Sequence, residues 1–199
     1  MVRMSIVVAA TVAGRPVEVA EVDAREVALR ESPQTAALPR PGTSEGRQLR
    51  RWLTQLLVTE RVVAREAEAL GVTVTAATPD VETVLPDLTA RLEIGSIAAG
   101  ILADPLARAV YAAVTAGVDV DDQTVADYHR RNPHRFAANG SRSPELDEVA
   151  PAIAELLRGA ARRRAFRLWL EPRRAALVWL APGYEHPGDP RQPDNTHKH

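Results

Sequence analysis

No cysteine occurs in the 199 residues, which excludes disulfide frameworks, thiolate zinc sites, iron-sulfur clusters and Cys nucleophiles, and leaves His, Asp and Glu as the strong metal ligands. Lysine is almost as scarce. Of 25 basic side chains only Lys198 is a lysine, so Schiff-base chemistry and a phosphate-loop lysine are excluded outside the extreme C-terminus. The three Trp, three Tyr and two Phe are too few to fill a core, which therefore falls to Leu, Val, Ala and Ile, a composition that favours packed helices. Neither sign of charge dominates: 25 basic residues against 26 acidic ones give a net charge of -1, and no nucleic-acid or membrane partner is expected. No run approaches the roughly 18 apolar residues of a spanning helix, and Ser5 to Gly14 is too short and β-branched for the apolar stretch of a leader peptide. A cytoplasmic protein is expected, with an Arg and Ala excess of the high-GC, actinobacterial kind. The chain also lacks G-x-S-x-G, G-x-G-x-x-G, P-loop and H-E-x-x-H texts, so the usual acyl-transfer, dinucleotide, nucleotide and zinc-protease chemistries have no support.

What is present reads as helix. Ser5 to Val19 is Val-rich and broken by Gly14-Arg15-Pro16, a strand, a turn and a second extended piece, which must pair with something else because a lone ribbon is marginal. Asp23 to Arg30 continues as one or two helical turns, and Ser32 to Gly46 reads as a loop. Thr43 or Ser44 caps a long helix to Leu70, with Leu49, Trp52, Leu53, Leu56, Leu57, Val63, Ala64, Ala67 and Leu70 at spacings of three and four, stopped by Gly71. Shorter helical stretches follow, opened by Thr78-Pro79-Asp80 and by Gly95-Ser96, then by Asp104-Pro105 and by Asp121 or Asp122, the last ending at Asn132-Pro133. Ser143-Pro144-Glu145 reads as the cap and first turn of a second long helix, running to about Ala175 with Pro172 bending its end. Ala176 to Leu180 is the one strong strand signal in the C-terminal half, and pairing it with the N-terminal strand closes the two chain ends together.

Three of the five histidines, His186, His197 and His199, share the Pro-rich last fourteen residues. An H-x-H pair in extended backbone places both imidazoles on one side, and with His186 it offers nitrogen ligands of the kind that suit Zn, Fe, Cu or Ni. The same residues are also what a solvated tail would carry. His129 and His134 flank the Asn132-Pro133 stop, where they are either solvent-facing helix-end groups or, should the tail fold back, further ligands of a composite site with Tyr128, Tyr184 and Glu185 as acid/base groups. The basic clusters Arg50-Arg51 and Arg162-Arg163-Arg164 with Arg167 read as charged outer faces of long helices, or as a phosphate site if they converge.

Three local texts resemble the helical chaperone domain of SurA and the parvulin-type peptidyl-prolyl isomerases. They are Val12-Ala13-Gly14-Arg15-Pro16-Val17, similar to the family's opening strand-turn; the Leu49 to Val72 helix ending in Glu-Ala-x-x-Leu-Gly-Val; and Val118 to Phe136, with Val120-Asp121, Tyr128 and Asn132-Pro133-x-Arg135-Phe136. In that family the Asn-Pro-x-x-Phe text precedes the catalytic domain, whereas seven residues here separate Phe136 from the Ser143 helix. The resemblance therefore implies the chaperone scaffold without the isomerase.

The expected fold is mainly α: a SurA-like helical domain over residues 1–182, with two long helices and a small sheet joining the N-terminal and C-terminal strands, then an irregular Pro/His-rich tail over 183–199. The expected function is a non-catalytic, chaperone-type module that binds a peptide or protein partner. The alternative is a metal-dependent biosynthetic enzyme acting on a small-molecule substrate, with the C-terminal histidines as ligands.

Overall fold

The computed structural model describes residues 7–33, 37–136 and 143–189. Among these the protein is mainly helical, with two long helices and one small antiparallel sheet, and its chain groups into two compact units. The first comprises the described residues up to Thr73 and those from Glu171 on, and the second runs from Val74 to Leu170. The described part of the tail, through Asp189, belongs to the first unit.

The first unit begins with β1 (Val8–Val12) and β2 (Arg15–Glu18), joined by the two-residue turn Ala13-Gly14. Both turn residues have positive φ, 49° and 78°, the geometry whose twist suits a tight hairpin. Gly14 adopts it freely, while Ala13 is held there by an N–H that donates to the Leu177 carbonyl at 2.8 Å. Glu18 ends β2 and starts α1 (Val19–Arg30), with a reciprocal capping box to Glu21. The helix is thus a turn longer than its polar text implies.

Thr43 caps α2 (Ser44–Leu70) by accepting from the Gly46 N–H, and Gly71 closes it in the left-handed conformation at φ 65°. The third strand, β3 (Val178–Leu180), pairs antiparallel with β1 through Ala10↔Leu180, Thr11↔Trp179 and Val12↔Val178, giving the order β2-β1-β3. The chain ends are joined in one sheet. On the β2 edge Pro16 presents no N–H, and Arg61 donates to its carbonyl, two devices that discourage further strand pairing.

The second unit contains α3 (Val81–Val84), α4 (Leu88–Ile94), α5 (Ser96–Ile101), α6 (Pro105–Val114) and α7 (Asp122–Arg131). Asp87, Asp104 and Asp121 accept from the first-turn amides of α4, α6 and α7, the capping chemistry their sequence positions imply. From here α8 (Leu146–Leu177) runs on until its last residues belong to the first unit. Three details of α8 differ from the sequence reading. It begins three residues after Ser143, because the Ser143 hydroxyl engages His134 and the Glu148 carboxylate instead caps the Glu145 N–H at 2.8 Å. It passes through Pro172, whose missing N–H leaves only the carbonyl four residues earlier, at exposed Leu168, to be met by solvent. It also takes up Ala176 and Leu177, so the strand is only three residues long. No helix among the described residues is long and apolar enough to cross a membrane.

The core of the second unit is organised by Phe166, fully buried against Tyr111 edge-on at 5.4 Å and stacked on Trp169 at 5.7 Å. Truncating a buried ring removes both its transfer energy and its contacts. Phe166→Ala should lower the unfolding free energy by about 3–5 kcal/mol in urea denaturation; a loss below about 1 kcal/mol would show that the ring is not packed as described.

Candidate functional site

The residues singled out in the sequence fall in two places. Tyr184, Glu185 and His186 lie in the first unit, and Tyr128, His129 and His134 lie in the second. His197 and His199 lie outside the described residues. A composite of tail and Asn132-Pro133 turn therefore draws on both units, and among the described residues no three His, Cys, Asp or Glu side chains are grouped so as to hold a metal ion.

In the second unit both histidines tie the end of α7 to the segment before α8. The His129 Nε2 donates to the Pro144 carbonyl at 2.9 Å, and the His134 Nδ1 meets the Ser143 hydroxyl at 2.8 Å. Tyr128 has the Arg135 guanidinium 5.8 Å from its ring centre, within cation-π range. Both line a cavity of about 300 Å³ with Leu156, Leu157, Glu93 and Arg163. Arg163 is only 6% exposed and donates to the Glu93 carboxylate at 2.8 Å and to the Val84 carbonyl, so this guanidinium is a buried structural group rather than part of a charged outer face.

In the first unit the tail is fastened to α2. Arg51 (5% exposed) donates through Nε to the Gly183 carbonyl, and Gln55 (1% exposed) donates through Nε2 to the Tyr184 carbonyl, both at 3.2 Å. The Gln55 amide oxygen accepts from Arg174, and the Tyr184 hydroxyl engages Arg50. Glu185 folds back to accept the Gly183 N–H at 2.8 Å, and His186 Nδ1 accepts the Gly188 N–H at 3.0 Å. Burial pushes the half-buried His186 ring below its ordinary pKa, and the Arg174 charge lowers it further against the opposing pull of Asp189. Tyr184, Glu185 and His186 are therefore close together: Tyr184 ties the tail to α2, while Glu185 and His186 brace the tail's own turns.

The sequence reading set Arg51 and Arg163 on charged outer faces, whereas both are buried, and it passed over the buried Gln55. Arg51 and Gln55 share a row with Val58 and Val62 at spacings of four, three and four, and Arg163 shares one with Phe166 and Leu170. That helical arithmetic is the signal that places them inside.

Also in the first unit, a cleft of about 510 Å³ opens between the hairpin and α2. Val12, Ala13, Pro16 and Ala64 form its apolar part, with Arg15, Arg61, Arg65 and Glu68 around them. Its size is that of a ligand pocket, and among the described residues no Ser, Thr, Tyr or His lines it. The hairpin brings four of these residues to α2, where Ala64, Arg65 and Glu68 succeed one another along the helix at spacings of one and three.

Residues 8–45 match a family of unknown function, DUF7158. The matched stretch holds the hairpin, α1 and the approach to α2, and so includes the hairpin side of the cleft. No curated protein and no solved structure matches the chain.

The His186 environment has a pH consequence. Because the folded ring binds its proton more weakly than an unfolded one, its contribution is full above the ordinary pKa of 6.5 and is lost as pH falls below that value. The thermal midpoint should fall between about pH 7.5 and about pH 5, and should fall less in His186→Gln. An identical pH dependence in the two proteins would show that the ring does not titrate against folding.

Proposed function

We propose that the protein is a SurA-like, non-catalytic binding module that holds an extended peptide or protein segment in the cleft between the β1–β2 hairpin and α2. The observation that carries this reading is the cleft itself: an apolar floor of Val12, Pro16 and Ala64 within a space of about 510 Å³, reached by one exposed hairpin turn. Peptide grooves work in this way, with apolar contacts supplying affinity and a polar rim fixing register. Two further features support it. The return of the C-terminal helix and strand to the N-terminal hairpin is the scaffold that the resemblance implies. Among the described residues the cleft lining also offers Glu68 and arginines but no nucleophile beside a base, the minimum for covalent or general acid-base work.

Filling the cleft tests this directly. Ala64 is half-buried on its floor, and Ala64→Trp should weaken binding of a fluorescent, permanently unfolded client by about tenfold or more, a loss of about 1.4 kcal/mol, with the circular dichroism spectrum unchanged. Client binding that is undetectable in the unaltered protein, or unaffected by Ala64→Trp, would overturn the reading.

A further inference from the structure

The first unit pairs its arginines with carboxylates almost everywhere they meet. Arg25 pairs with Glu60, Arg30 with Glu26, Arg50 with Asp23 and Glu26, Arg61 with Glu21, and Arg173 with Glu66. Arg61 is further held by donating to the Pro16 carbonyl. The two exceptions on the cleft are Arg15, from the hairpin, and Arg65, from α2: both are exposed, and neither guanidinium has a hydrogen-bonding or ion-pair partner among the described residues. One acidic side chain, Glu68, lines the cleft against its three arginines. A guanidinium presents planar pairs of donors that fit a carboxylate, and two of them beside an apolar floor form a surface complementary to an acidic segment with apolar residues between its charges.

We infer that the cleft selects an acidic, extended peptide, its carboxylates on Arg15 and Arg65 and its apolar side chains on Val12, Pro16 and Ala64. This rests on the binding-module reading and adds the chemistry of the partner to it. The strained left-handed turn at Ala13, pinned by its hydrogen bond to Leu177, holds Arg15 at the mouth of the cleft before any partner arrives, which reduces the ordering required on binding.

The test uses the full chain and three fluorescein-labelled peptides that share the same apolar residues and carry Asp, Ser or Lys at the positions between them, followed by fluorescence anisotropy. The Asp peptide should bind about tenfold more tightly than the Lys peptide at low salt, and the difference should shrink as salt rises. Arg15→Ala/Arg65→Ala should remove most of that preference while leaving the Ser peptide within about twofold. Arg15→Glu/Arg65→Glu should reverse it, and Arg91→Ala, an exposed arginine of the second unit, should do neither. If the three peptides bind equally, or if the preference survives in Arg15→Ala/Arg65→Ala, the inference is overturned and the binding reading stands. If no peptide binds, both fall.

Discussion

A guanidinium and a carboxamide on a buried helix face can stay out of water only while other groups hydrogen-bond them. Arg51 and Gln55 of α2 are in that position, and they are met by the carbonyls of Gly183 and Tyr184 and the guanidinium of Arg174, from the C-terminal part of the chain. The first unit is therefore incomplete without its last described residues. Removing them would strip the β1 edge of β3 and leave two buried polar side chains exposed to a cavity or to solvent, each a costly outcome. The same segment supplies Leu177, whose carbonyl fixes Ala13 in the left-handed turn.

From that dependence follows the form of the cleft. α2 holds the hairpin on one flank and the tail on the other, and α1 is bound to α2 by ion pairs of Arg50 and Arg61 with Asp23, Glu26 and Glu21. Burial raises the Glu26 pKa, yet hydrogen bonds from Arg30 and Arg50 outweigh it and hold the carboxyl below its ordinary value, so this group stays ionised and paired. With those carboxylates committed to arginines on α1 and α2, the charge left over gathers where the hairpin turns away from the helix, at Arg15 and Arg65. The cleft thus carries a local excess of guanidinium beside an apolar recess, which the net charge of -1 conceals.

Much of the architecture is legible in the residues because it depends on local chemistry. Thr43, Gly71, Asp104 and Asp121 mark helix ends by capping and φ preferences that act within four residues, and the apolar spacing of α2 and the Val-rich N-terminus select helix and strand without reference to the rest of the chain. Closure of β1 on β3 was also readable, since an isolated hairpin is too unstable to stand alone. What was hidden is non-local. Ser143 looks like a cap but is taken by His134; Ala176 looks like strand but continues α8; and the tail, composed of Pro, Gly and polar groups, gives no sign that Arg51 and Gln55 are waiting for its carbonyls. Of the candidate site, the sequence drew attention to Tyr184, Glu185, His186 and Tyr128 because their chemistry is distinctive. The cleft residues Val12, Pro16, Ala64 and Arg65 are chemically ordinary and become a site only through the hairpin's approach to α2.

Native-state hydrogen exchange of the full chain tests most directly whether the two chain ends form one structural unit with α2. The amides of Ala13 and Ala181, which donate to Leu177 and Ala9, report the closure of the sheet, and those of Val58 and Val62 report the buried face of α2. All four amides should open together, with exchange free energies within about 1 kcal/mol of one another. Ala13 and Ala181 exchanging more easily than α2 by about 3 kcal/mol or more would contradict it, since the C-terminal segment would then be detaching from a unit that stands without it.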